Sequence, residues 1–307
     1  MPAGFDFWGV PIALLGGATR VSTPFIFVSL GECLTEKSGR INLGQEGTLI
    51  MGAMTGCTVA HFTNSAWLGV LAAGIVGTIL GMLHAWLCSR PRVNDVAVGI
   101  GLMLFGTGLA FFLGKPAVAY VTAQLPSIHL GFWSHEDKIR SALDINALFF
   151  IGAALAPAML WWLNNTRWGL IVRTVGESSD AARAMGYSVN TVRLLATAAG
   201  GFLAAVGGSF LSLYYPGGWN EGLSTGQGLM AVALVIFARW NPRNCLYAAL
   251  LFGAAGALGP ALQSVGVTSY RYFIGATPYV LTLIIMIVTS SRTRTLAGIP
   301  AELTVSR

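Results

Sequence analysis

Apolar residues run along this chain in blocks, not in alternation. The blocks fall at 21–35, 44–61, 67–87, 96–113, 145–163, 192–214, 223–238, 246–265 and 272–290. Each is near the roughly 20 residues an α-helix needs to cross a hydrocarbon core. The pattern therefore predicts about nine spans. Continuous runs exclude the alternating strands of a membrane β-barrel. Residues 5–17 are apolar too, but short. They read as an interfacial helix with Phe5, Phe7 and Trp8 at headgroup level, so residues 1–20 stand apart as an interfacial N-terminal segment. Counted instead as a tenth span, that segment would move the N-terminus to the other side. The expected architecture is one all-α polytopic transmembrane domain over residues 1–307.

The polar interruptions carry more information. Residues 32–47 place Glu32, Glu36, Lys37, Arg40, Asn42 and Glu46 between two apolar blocks. In a membrane protein such a break must be solvated by protein, by a water-filled cavity or by the aqueous face. It is therefore either a solvated loop or part of a transport path. Residues 115–143 hold His129, Trp133, His135 and the run Glu136-Asp137-Lys138, and read as a solvated loop. The two histidines lack an i, i+4 spacing, so no metal site is expected. Residues 164–193 contain Ser178-Ser-Asp-Ala-Ala-Arg-Ala-Met-Gly186. A serine cap, an aspartate in the first turn and a glycine stop define a short amphipathic helix there. Ala181, Ala182 and Met185 lie on one side of it. So short a helix is marginal alone, and it docks either on its own membrane helices or on a cytoplasmic partner.

Composition sharpens the class. Apolar residues make up 54% and charged residues 10%, against about 25% charged in a soluble domain. Mean hydropathy is +0.67. The 39 glycines suit close helix contacts in a bilayer, as at Gly74, Gly77 and Gly81, at Gly200-Gly201 and at Gly207-Gly208. The net charge of +6 is scattered over span ends, so it implies membrane orientation and no nucleic acid. Lys37, Arg40, Arg90, Arg92, Arg167, Arg173, Arg183, Arg193, Arg239, Arg243, Arg292, Arg294 and Arg307 fall on one side of the map. Arg20, Lys115, Lys138, Arg140 and Arg271 fall on the other. The richer side is expected to be cytoplasmic, with the C-terminus on it. Cys33, Cys57, Cys88 and Cys245 show no metal or redox spacing and read as buried thiols. The N-terminus lacks a basic n-region, so no cleaved leader is expected.

The chain also echoes itself. Gly44-Gln45 and Gly226-Gln227 each open an apolar block, and the two blocks run in opposite directions. That is the relation an inverted repeat requires, and such repeats meet near the midplane, often through broken helices.

The pattern Gly31-Glu-Xaa4-Lys37-Ser-Gly-Xaa-Ile-Asn-Leu-Gly-Xaa-Glu-Gly47, followed by Met51-Gly-Ala53, resembles the permease subunits of bacterial ABC importers of the nucleoside and simple-sugar type, a group akin to branched-chain amino acid permeases. Asn165-Thr-Arg-Trp-Gly169, Gly176-Glu-Xaa3-Ala-Ala-Xaa3-Gly186, Gly200-Gly-Xaa2-Ala-Ala-Xaa-Gly207-Gly and residues 222–236 extend the resemblance over most of the chain. Lys37 and Arg40 depart mildly from the usual Arg and Val. The Asn-Leu-Gly-Xaa-Glu-Gly form is closer to the nucleoside branch than to the ribose branch.

The resemblance implies a multi-pass subunit of the bacterial cytoplasmic (inner) membrane. It implies a second permease, homologous or a second copy, with cytoplasmic ATP-binding subunits and an extracytoplasmic solute-binding protein. The chain has no Gly-Xaa4-Gly-Lys-Ser/Thr loop, so ATP hydrolysis belongs to another chain and no cofactor is expected here. Residues 164–193 correspond to the family's coupling loop, with Gly176, Glu177, Ala181, Ala182, Met185 and Gly186 as its contact set. Asn42, Gln45 and Glu46, with Trp219, Asn220 and Gln227 in the second half, are the candidates for the solute path. Amide and carboxylate groups beside an aromatic face suit a nucleoside. Asn42 and Glu46 read equally well as caps of the following helix, and Trp219 equally well as an interfacial anchor. An ion-driven secondary transporter is the rival class; it calls for carboxylates or histidines within spans. A membrane-embedded enzyme would need a nucleophile–base pair or a metal cluster, and the sequence offers neither.

Overall fold

The computed structural model describes residues 9–133, 136–224, 226–264, 276–289 and 298–304. Helices dominate. In chain order they are α1 (Gly9–Lys37), α2 (Gln45–Thr63), α3 (Ala66–Cys88), α4 (Asp95–Gly114), α5 (Asp137–Ala142), α6 (Ala147–Asn165), α7 (Arg167–Glu177), α8 (Ser179–Ala184), α9 (Val189–Leu213), α10 (Gln227–Phe237), α11 (Pro242–Ser264) and α12 (Thr277–Thr289). Among the described residues, six helices are long and apolar enough to cross a membrane: α1, α3, α4, α6, α9 and α11. The 19 residues of α2 include Gln45, Glu46, four threonines and His61, and α2 is not one of the six.

α9 is the core. It packs on α1, α2 and α3. In α9, 72% of the apolar window is buried, against 17% in α4, which forms an outer wall. Small residues permit this centre. Gly77 of α3 and Gly201 of α9 lie so close that a Cβ on Gly77 would sit 2.2 Å from the Gly201 carbonyl. Close backbone packing of this kind drives helix association where both helices and lipid are apolar.

Three expectations need correction. From Gly9 onward, the segment set apart as interfacial is continuous with the first helix, so α1 is 29 residues long. Arg20 does not end it, because its guanidinium donates to the Ser141 carbonyl at 2.6 Å. The block at 223–238 yields only the 11 residues of α10, about 16 Å at 1.5 Å per residue, too short to cross. Residues 115–143 are more than a loop. Strands β1 (Ser127–His129) and β2 (Asp144–Asn146) pair antiparallel beside α5, with Ile128 opposite Ile145. Of the last expected span, residues 276–289 are described, and Arg271 lies outside the described residues.

Candidate functional site

The polar break after α1 folds back into the bundle. Asn42 Oδ1 accepts from the Gly44 N–H at 2.9 Å and closes the turn before α2. Glu32 lies within α1, fully buried. It accepts from the Asn42 N–H at 2.7 Å and from Gln45 Nε2 at 2.5 Å. His84 of α3 sets its Nε2 3.1 Å from the Ile41 carbonyl, and Arg40 pairs with Asp95 of α4 at 2.5 Å. The loop is thus held by polar partners on α1, α3 and α4, those on α1 and α3 fully buried, as an apolar surround requires.

This anchoring points the start of α2 at the start of α10. Glu46 accepts from Ser224 Oγ at 2.6 Å, from the Gly226 N–H at 3.0 Å and from the Gly228 N–H at 2.6 Å. Gly226 caps α10 with φ +86°, a left-handed conformation that glycine adopts without cost. At Gly228 a Cβ would sit 2.6 Å from the Glu46 Cα. One carboxylate therefore satisfies two orphan N–H groups of α10 while standing in the first turn of α2. The positive ends of both helices converge on it.

The junction lies deep. Gly47 packs on the carbonyls of Leu102 and Met103, about 12 Å along α4 from Asp95 at 1.5 Å per residue. The α10 start lies about 15 Å from its own far end by the same rise. Both measures are near half the roughly 30 Å thickness of a hydrocarbon core.

Of the expected path residues, the structure gathers Asn42, Gln45, Glu46 and Gln227 at this junction. Asn42 and Gln45 are buried, and Gln227 is half-buried between the two glycines that bind Glu46. The side-chain oxygens of Gln45 and Gln227 are buried without a hydrogen-bond partner among the described residues. Trp219 and Asn220 are not part of it. Trp219 is buried against Phe111 and Gly114 at the opposite end of α4. Asn220 is exposed and its Oδ1 accepts from its own Gly222 N–H at 3.0 Å. The sequence sets Glu32 and Glu36 in the polar break at the end of the first apolar block. Both are buried within α1, and Glu36 accepts a hydrogen bond from the Trp240 indole.

At the basic end, α7, α8 and the start of α9 form one unit. Ser178 Oγ accepts from the Ala181 N–H at 3.2 Å. Gly186, at φ +84°, ends α8, with the Tyr187 N–H donating back to the Ala182 carbonyl at 3.0 Å, a glycine C-cap. Ala182 departs from expectation. It is fully buried against Val175 and Val189, because a six-residue helix needs an apolar floor. Ala181, Met185 and Tyr187 face outward instead, as does Glu177. Gly176 is buried, and a Cβ there would meet the Lys37 carbonyl at 2.2 Å. Beside α8 opens a cleft of about 880 Å³ lined by Arg40, Arg90, Arg92, Asp95, Arg183 and Glu302 among others. Partial burial alone would raise the Glu302 carboxyl. Hydrogen bonds from Ser179 and Arg193 outweigh it and bring the pKa down to about 2. An apolar cavity of about 580 Å³ between α6, α7 and α9 is lined by aliphatic and tryptophan side chains and suits an apolar occupant better than a polar solute.

Residues 14–290 match the family described as branched-chain amino acid transport system / permease component. TsgC13 of Haloferax volcanii, a permease named provisionally for glucose ABC transport, is 34% identical over 82% of this chain and 78% of its own. The nucleoside ABC transporter permease protein NupC of Lactococcus lactis subsp. cremoris is 30% identical over 86% and 88%. The guanosine ABC transporter permease protein NupQ of Bacillus subtilis is 29% identical over 89% and 91%. The polar break that resembles this family's loop, and the helix junction it builds, thus belong to a chain that is a member of the branched-chain amino acid transport system permease family, an ABC transporter permease.

Proposed function

We propose that this permease forms part of an ATP-driven import path for a small polar solute, and that the solute is a nucleoside. The observation that carries the reading is the mid-depth junction where α2 and α10 meet head to head at Glu46. Broken helices with converging N-termini mark solute sites in transporters. The unpartnered oxygens of Gln45 and Gln227 are acceptors for hydroxyl and amine donors of a ribose or base. Relatives named for nucleosides and guanosine match over nearly their whole length, which supports the nucleoside over other solutes. A simple sugar is the second reading, favoured by the 34% identity to TsgC13; it uses the same hydroxyl chemistry.

Buried carboxylates within a span, as Glu32 and Glu36 are in α1, are what the ion-driven reading calls for, and their partners weigh against it. Glu32, Glu36 and Glu46 each accept hydrogen bonds from fixed donors of the chain itself, so they serve as locks. ATP hydrolysis then falls to separate subunits docking at the basic end, on the outward residues Ala181, Met185 and Tyr187 of the coupling segment. A second permease and an extracytoplasmic binding protein complete the transporter.

The test is uptake of labelled guanosine, uridine, glucose and ribose by a strain lacking this chain, with and without complementation. Loss of nucleoside uptake alone, restored by the wild-type chain and not by Gln227→Ala, is expected. Loss of sugar uptake alone moves the assignment to the sugar. Uptake that persists after ATP depletion with the ion gradient intact overturns the ATP-driven mechanism.

A further inference from the structure

We propose that residues 298–304 form a strap that sets the position of the coupling helix, with Glu302 as its positioning residue. This rests on the reading of α8 as the segment that meets the ATPase. The strap joins four places in the fold. Glu302 Oε1 accepts from the Ser179 N–H, at the first turn of α8, at 2.8 Å. Its Oε2 accepts from Arg193 of α9 at 2.9 Å, with the Arg193 side chain 3% exposed and that of Glu302 13%. Arg193 Nε donates in turn to the Ser38 carbonyl after α1 at 3.1 Å. Lys37 Nζ donates to the Gly298 carbonyl at 3.3 Å. Gly298 lies against the end of α10, where a Cβ would sit 2.9 Å from the Arg239 carbonyl.

These contacts have a mechanical consequence. α8 spans six residues and holds to its neighbours mainly through Ala182, Val175 and Val189. A helix that short does not keep its own orientation. The ionised Glu302 fixes its first turn to α9 and to the loop that leads into α2. Through Gly298 the same strap reaches the far end of α10, whose near end is capped by Glu46. Movement of α8 is thereby transmitted to both helices of the mid-depth junction. Gly39, at φ +82°, leaves room for this clamp. A Cβ there would meet Glu302 Cβ at 3.0 Å and Arg193 Nη2 at 3.1 Å.

Two variants test the strap in the assembled transporter, with its ATPase subunits and binding protein, in proteoliposomes. Glu302→Gln removes the charge. Ser179→Pro removes the N–H that Glu302 accepts, at a first-turn position proline tolerates, after a residue already extended at φ −155° and ψ 109°. Both are expected to keep the permease in the membrane with ATPase bound. The ratio of solute-stimulated to basal ATP hydrolysis should fall about tenfold, as loss of a charge-assisted hydrogen bond implies, and uptake with it. Glu302→Asp should recover part of the ratio. An unchanged ratio in both variants overturns the proposal, whether or not yield falls, because a contact that only stabilises changes the amount of protein and not its coupling. If the wild-type chain itself retains no ATPase, the reading of α8 fails instead, and the two failures are distinct.

Discussion

A carboxylate that accepts three hydrogen bonds in an apolar surround is not replaceable by its amide. Glutamine at position 46 would turn an N–H toward one of the donors Ser224 Oγ, Gly226 N–H or Gly228 N–H. Charge-assisted hydrogen bonds contribute about 1.5–3 kcal/mol each, and an orphaned donor costs a similar amount. Glu46→Gln should therefore destabilise the protein by about 2 kcal/mol and Glu46→Ala by more, with α10 fraying from its start. Thermal unfolding in detergent and solute uptake read this. Equal midpoints for wild type and both variants would show that the junction does not depend on the cap. The other residue-scale prediction concerns pH. Glu302 has its pKa held at about 2, below the ordinary 4.5, so its ionised form is favoured by folding. Its stabilisation is complete above about 4.5 and is lost as pH falls from there toward 2. The gap in thermal midpoint between wild type and Glu302→Gln should be widest near neutrality and narrow at about pH 3. A gap that widens on acidification contradicts this sign.

At the scale of elements, glycine separates contacts that hold the bundle from surface that does not. Gly77 and Gly201 bring α3 and α9 into backbone contact, while Gly101 on α4 has nothing within 4 Å of the place a Cβ would occupy. Gly77→Val forces those helices apart and should lower the midpoint and the yield, since overpacking a tight contact costs about 1–3 kcal/mol. Gly101→Ala should be neutral or stabilising by up to about 1 kcal/mol in the isolated chain. Thermal unfolding of both variants checks the contrast, and a Gly77→Val protein as stable as wild type would remove α3–α9 contact from the core. The glycine rows, the short helix α8 with its serine cap and glycine stop, and the Gly-Gln dipeptides that open α2 and α10 were all legible in the sequence, because each is a local pattern. The cap was legible only in kind. Glu46 reads as a cap of its own helix, yet it caps one 182 residues away in sequence at Gly228, and a single sequence carries no record of that pairing. The half-length of α10 was hidden because residues 223–226 are compatible with a helix by hydropathy. The helix starts only at Gln227, after Gly226 takes a left-handed turn and donates its N–H to Glu46. Glu302 sits in a short polar tail with no periodicity, so nothing local marked it.

Across the whole molecule, the charge asymmetry and the fold converge on one orientation. The basic end gathers Lys37, Arg90, Arg167, Arg183 and Arg243 at helix ends, together with α8 and the Glu302 carboxylate that accepts from its first turn. The opposite end carries the small β1–β2 sheet and α5. Excess Lys and Arg hold short loops on the cytoplasmic side, so Arg167, Arg183 and Arg243 should be cytoplasmic and Trp133 outside. The chain is well suited to a cysteine-labelling test. All four native thiols, Cys33, Cys57, Cys88 and Cys245, are buried, so they contribute little background. Trp133 and Arg183 are both exposed, and each single cysteine introduced there is open to solvent without disturbing the bundle. In intact cells, with any outer barrier opened, a membrane-impermeant maleimide should label Trp133→Cys and leave Arg183→Cys unmodified until the membrane is permeabilised. The reverse pattern would place the coupling segment outside, away from any source of ATP. That result would refute both the orientation and the import mechanism built on it, because α8 is packed on α7 and α9 through Val175, Ala182 and Val189 and bonded to Glu302 through Ser179, so it lies on the same side as they do.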